Sequence, residues 1–166
     1  TVDRICKAKD RENTMLHALL KYAGQALAKN KLSILIYHQV LTAADPMRPS
    51  EPTAEVFDWQ MRLLRDYFTP LSIDEALQHL KHNTLPANAV CVTFDDGYLN
   101  NLTVAQPILA KYAIPATVYV ATGFSNGLNM WNDRLIYLFA DATLFSRIDG
   151  DVWAVRGLAH AMLIPL

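Results

Sequence analysis

With 166 residues, the chain is long enough for one hydrophobic core and too short for two independent ones. It is 52% apolar and only 19% charged, which excludes a disordered tail or a solvated linker. Against 15 Lys and Arg stand 16 Asp and Glu, a net charge of -1, so no basic field exists for gripping nucleic-acid phosphates. Cys6 and Cys91 lie too far apart in sequence for a zinc ribbon or a disulfide framework, and two reduced thiols in an intracellular protein is the plainer reading. No apolar run approaches the roughly 20 residues of a bilayer span, and with no signal pattern the chain is expected in the cytoplasm.

Residues 1–14 are polar, aperiodic and do not begin with Met, so they are expected to be a non-native or disordered extension. Residues 15–31 carry Leu16, Leu19, Leu20, Ala23 and Leu27 at helical spacing. Leu32 to His38 is an apolar run, expected as a strand buried on both faces of a parallel sheet. A Pro-rich loop follows, with Pro46, Pro49 and Pro52. Val56 to Phe68 then sets Phe57, Met61, Leu64 and Phe68 on one helical stripe. Thr69 to Leu71 reads as a short second strand, and Ser72 with Glu75 as a capping box opening a helix to about His82. The histidines of that helix, His79 and His82, read as a solvated terminus.

Ala89 to Asp95 is a third strand, Thr103 to Tyr112 a helix with Pro107 early in it, and Ala116 to Ala121 a fourth strand. Gly123 to Asn129 is a loop, 131–145 looks helical, and 151–155 is one more candidate strand. Strand and helix alternate every 25–30 residues, roughly, which is the signature of right-handed βαβ units. Such units put chemistry at the carboxyl ends of the strands: His38 after the first, Asp95 and Asp96 after the third, Thr122 after the fourth.

The sharpest feature is Thr93-Phe94-Asp95-Asp96-Gly97-Tyr98. Two adjacent carboxylates at the end of an apolar strand repel one another and lose hydration. A cation held by one, with the other drawing a proton from water, relieves that repulsion and generates a nucleophile. Gly97 lets the backbone bend so that both carboxylates can serve one pocket. Asp and Gly are also ordinary turn residues, and a turn alone is the competing reading. An aspartyl-phosphate receiver fits less well, because its acids follow the first strand.

Ile34–His38, Val92–Tyr98 and Ile114–Val120 together resemble the polysaccharide deacetylase family, the NodB-homology or carbohydrate esterase family 4 enzymes, over about residues 32–125. The resemblance implies an incomplete (β/α) barrel here, the first half of a distorted (β/α)7 barrel with parallel strands. It implies metal-dependent removal of acetyl groups from an amino-sugar glycan, with zinc as the expected divalent ion and an acetylated polysaccharide as partner. On the family pattern Asp95 matches the catalytic base and Asp96 a metal ligand. His38 matches a pocket histidine, though a histidine bonded to a backbone carbonyl is its plainer reading; Tyr98 and Thr122 are expected in the same pocket.

The family completes its metal with a later H-[S/T]-x-x-H pair, whereas only His160 follows the acidic motif here. Residues 32–130 therefore read as the N-terminal half of a deacetylase-like barrel and 131–166 as insertion-like, with Met130–Arg134 the recognisable portion. As such the chain is expected to be inactive alone. The alternative is a non-catalytic glycan-binding or assembly half-barrel. Trp59, Trp131 and Trp153 would offer stacking faces in it, although tryptophans in so apolar a chain are expected in the core. Unpaired strand edges predict a homo-oligomer. The sequon Asn101-Leu-Thr103 carries no weight by itself.

Overall fold

The computed structural model describes residues 30–140. Strand β1 is Leu32–Tyr37, helix α1 Ala54–Tyr67, β2 Thr69–Pro70, α2 Ile73–His82 and β3 Ala89–Phe94. A π-helical turn, Asn101–Ala105, runs into α3, Gln106–Tyr112; β4, Ala116–Val118, and α4, Trp131–Ala140, follow. The expected extension at 1–14, most of the 15–31 helix, the 151–155 strand, Trp153 and His160 lie outside the described residues. Compact units divide between Thr122 and Gly123; the second contributes α4, and the sheet and the candidate site belong to the first.

β3 is the centre of the sheet. β1 runs parallel to its whole length, from Leu32 beside Ala89 to Tyr37 beside Phe94. Its other edge is shared: β2 pairs with Ala89 and Val90, and β4 with Val92 to Phe94. Alternation explains the sharing. Carbonyls of Asn88, Val90 and Phe94 point the same way, accepting from Thr69, Leu71 and Tyr119 N–H at 2.9, 2.9 and 2.8 Å. Parallel strands throughout make this the α/β class expected.

One face of the sheet carries α1 and α3. Val90, Val92 and Phe94 pack with Phe57, Met61 and Leu64 of α1, and with Ala105, Leu109 and Ile114. The Phe57 ring meets Tyr37 and Phe94 with centroids 5.1 and 5.9 Å apart, edge to face, and Tyr37 stacks on Phe94 at 5.5 Å. Each such pair contributes about 0.5–1.5 kcal/mol beyond the area it buries. Local signals placed the helices well. Thr53 caps α1 by accepting from Val56 N–H, and the Ser72–Glu75 capping box forms in full. His79 and His82 hydrogen-bond to Thr84 Oγ1 and the Gln78 carbonyl, both within or just past their own helix.

Several expectations give way. β1 is not buried on both faces: Ile34 is 50% and Ile36 62% exposed. Among the described residues β1 pairs only with β3, so one edge of β1 stays open, while Ala89, Cys91 and Thr93 bury the corresponding face of β3. Phe68 leaves the α1 stripe, because it caps the helix in extended conformation and is exposed. β4 ends at Val118 rather than Ala121, and the helix expected from Thr103 is preceded by the π-turn. Trp59 and Trp131 are exposed, not core.

α1 and α3 are joined by Asp58, which accepts from Lys111 Nζ at 2.7 Å and from Tyr112 OH at 2.9 Å. These bonds, Lys111 first, hold the Asp58 carboxyl below its ordinary range, and they raise the Lys111 ammonium. A lowered folded-state value means the contribution is present above the ordinary aspartate value of 3.8 and lost on acidification below it. Denaturant titrations from neutral pH downward are expected to show a smaller loss of stability for Asp58→Asn than for the parent chain; equal losses would remove this pair from the acid response.

The exposed isoleucines and open edge of β1 also predict self-association. Light scattering after size exclusion is expected to give a mass above the 18.6 kDa of one chain, and a clean monomer would count against it.

Candidate active site

Asp95 is the first residue past β3, and its N–H donates to the Tyr37 carbonyl at 2.8 Å. The register that sets Tyr37 beside Phe94 thereby brings His38 beside Asp95. The backbone then reverses within one residue. Asp96 has φ 72°, and Gly97 N–H donates back to the Asp95 carbonyl at 2.9 Å. That combination is a γ-turn of the rare, strained kind. A non-glycine residue held there costs roughly 1–3 kcal/mol, and persists only where its surroundings over-determine it. So the bend begins at Asp96 itself, one residue earlier than Gly97 alone would suggest.

The surroundings do over-determine it. Asp96 C=O accepts from Ala121 N–H at 3.2 Å, tying the turn to the segment beyond β4. Gly97, at φ +75°, lies under Val120: an added Cβ would meet both Val120 methyls at 3.2 Å and its Cα at 3.3 Å. No side chain fits. Asp95 and Asp96 are half-buried, and among the described residues neither carboxylate has an ion-pair or hydrogen-bond partner. Both are free to act on something that is not protein.

Asparagines missed in the sequence reading complete the frame. Asn101 is buried, 6% exposed, and its Nδ2 donates to the His38 carbonyl at 2.9 Å. Asn100 Nδ2 donates to Gln39 Oε1 at 3.0 Å. Together they latch the end of β1 onto the turn that follows the acidic motif, where the helix opens into its π-turn, a distortion frequent at functional sites. Burial also removes Asn101 from use as a glycosylation acceptor in the folded chain. Its only sequence signal was position, three residues past Tyr98 at the start of a helix.

His38 is exposed; its backbone carbonyl, not its ring, makes the buried bond. With Tyr37, Glu51 and Gln60 it lines a cavity of about 540 Å³. Asp95, Asp96, Tyr98 and Thr122 lie outside that lining; Tyr98 is half-buried and accepts from Asn101 N–H at 2.9 Å, and Thr122 is exposed at the start of a short 3₁₀ turn. The Tyr37 phenol is pushed above its ordinary value by burial and donates to Gln60 Oε1 at 3.0 Å. Cys91 is buried, and desolvation with the Glu75 charge raises its thiol, so it is no nucleophile.

A parallel sheet with helices between its strands and an acidic pair at the end of its central strand has the architecture of part of a (β/α) barrel, and the comparisons agree. Residues 82–136 match the family model for polysaccharide deacetylase. Poly-beta-1,6-N-acetyl-D-glucosamine N-deacetylase of Staphylococcus aureus is 30% identical over 131 residues, covering 78% of this chain and 43% of that protein. Among solved structures, IcaB from Ammonifex degensii superposes with a TM-score of 0.53 at 31% identity, covering 61% of this chain and 42% of that one. A Streptococcus pyogenes deacetylase, PplD, in complex with acetate gives 0.50 at 30% identity, covering 64% and 51%. Residues 82–136 carry the polysaccharide deacetylase domain of that family. The chain spans less than half the length of the curated relatives it matches.

Gly97→Ala is expected to destabilise the fold by roughly 1–3 kcal/mol, through both the positive φ and the Val120 clash. Chemical denaturation measures it, and a loss below a few tenths would mean the turn is not held as described.

Proposed function

We propose that this chain carries the proton-accepting part of a deacetylase site acting on an acetylated amino-sugar polysaccharide. The observation that carries the reading is the strained Asp95-Asp96-Gly97 turn, pinned to both neighbouring strand segments, with two unpartnered carboxylates on the backbone next in register to His38. The domain match and the name of the staphylococcal relative support the substrate class.

In hydrolysis, a water oxygen bonds to the acetyl carbonyl carbon while its proton passes to the Asp95 carboxylate. The carbonyl electron pair moves onto oxygen, and collapse breaks the bond to the sugar nitrogen, which leaves with the proton Asp95 received.

The family resemblance makes Asp96 a ligand for a divalent ion, zinc expected, whose charge would polarise the acetyl oxygen. Among the described residues no group of three His, Cys, Asp or Glu side chains is gathered to hold an ion. These residues alone do not form a metal site, and no step above depends on one. The zinc affinity expected for this chain by calorimetry is weaker than micromolar; tighter binding would show that a ligand set is complete.

Amine release from N-acetylglucosamine oligomers tests the assignment. Whatever slow release the chain supports without a completed metal site is expected to fall by about 10²–10⁴-fold in Asp95→Asn, with an unchanged melting transition. Activity retained in that variant would overturn Asp95 as base. A second reading, a non-catalytic glycan-binding module, is favoured by the exposure of Trp59 and Trp131, 52% and 72%; glycan binding that is lost on replacing either tryptophan by Ala and unchanged by Asp95→Asn would select it.

A further inference from the structure

The cavity beside His38 is not used by the chemistry above, yet it is built. Its volume of about 540 Å³ falls within the roughly 300–1,000 Å³ of small-molecule sites. One wall is apolar and open: Ile36, Val56 and Pro52, with Ile36 62% and Val56 43% exposed. The rest is polar, with His38, Glu51 and Gln60. An apolar wall facing hydrogen-bonding groups suits a sugar ring, which has a C–H face and an equatorial rim of polar substituents.

The polar groups are fixed yet incompletely satisfied. Gln60 Oε1 accepts from Tyr37 OH, which leaves its Nε2 without a protein partner among the described residues. Glu51 Oε2 accepts from Gln39 N–H at 3.2 Å, and its second oxygen has none. The His38 ring likewise makes no protein hydrogen bond there. Gln39 in turn takes the Asn100 bond, so Glu51 is braced through one residue to the helix that follows the acidic motif. The cavity and the carboxylate pair thus share a frame.

Charge narrows the ligand. Glu51 is the one carboxylate in the lining, and no lysine or arginine is present. Such a pocket repels phosphorylated or uronic sugars and attracts a cation. We propose that it receives a hexosamine unit bearing a free ammonium group, next along the polymer to the unit whose acetyl group reacts, with Glu51 accepting from the ammonium. This rests on the deacetylase reading for the polymer, and makes the site one that favours chains already carrying a de-N-acetylated unit.

Calorimetric titration of the full chain with a glucosamine trimer and with the N-acetylglucosamine trimer tests it. The glucosamine trimer is expected to bind about tenfold more tightly, the effect of one charge-assisted hydrogen bond. Glu51→Gln, which keeps an acceptor for Gln39 N–H, is expected to erase that preference and leave the acetylated trimer unchanged. Should the variant fail to fold, raised salt on the parent chain serves instead, since it is expected to shrink the preference. Equal affinities for the two trimers, or a preference indifferent to both Glu51→Gln and salt, would overturn the proposal. Acetyl release that depends on Asp95 but no preference for the free amine would sink the pocket alone. A preference that depends on Glu51, with acetyl release indifferent to Asp95→Asn, would sink the deacetylase reading and leave an amino-sugar site.

Discussion

The Asp95 N–H to Tyr37 carbonyl bond at 2.8 Å is the last rung between β1 and β3, and everything at the site hangs from it. Below it lies a ladder with aromatic packing on one face. Above it the chain reverses in a γ-turn. Because that rung fixes Asp95, the carboxylates, the His38 backbone and the cavity next to them inherit the rigidity of the core rather than of a loop. Catalytic groups held on a scaffold keep their geometry without an ordering cost at each turnover.

Strain and support are paired here. Asp96 sits at a positive φ that an ordinary residue avoids, and the fold holds it from several directions: Tyr37 on one side, Ala121 on the other, and Val120 over Gly97. Asn100 and Asn101 then carry the constraint across to Gln39 and His38. A simple surface turn would need none of this. What argues for function is the concentration of compensating bonds around one unfavourable torsion, leaving both acidic side chains unengaged.

Much of this was legible beforehand. The helix start at Ser72, the buried run of β3 and the Phe57–Met61–Leu64 stripe all follow from local chemistry: capping oxygens, burial and a 3.6-residue period, whereas the Thr53 cap, three residues ahead of the expected start at Val56, came from the structure. The acidic pair could be located because chain order alone puts strand ends on one side of a parallel sheet. The roles of Asn100, Asn101, Glu51 and Gln60 could not. Each works through a partner distant in sequence, and isolated polar residues in a loop or helix carry no period to betray them. β1 was misjudged for a related reason: an apolar run states that burial is favourable, not that both faces are covered.

By itself, then, the sequence determined the parallel α/β class, the order of strands and helices, and the acidic motif at the end of the third strand, since those depend on patterning within short windows. Tertiary structure alone decided that β2 and β4 divide one edge of β3, that the reversal starts at Asp96, and that a cavity opens between His38 and Glu51. These depend on which backbone amides find which carbonyls once the strands have met, and on where Val120 comes to rest over Gly97. No window of residues contains that information until the chain has closed on itself.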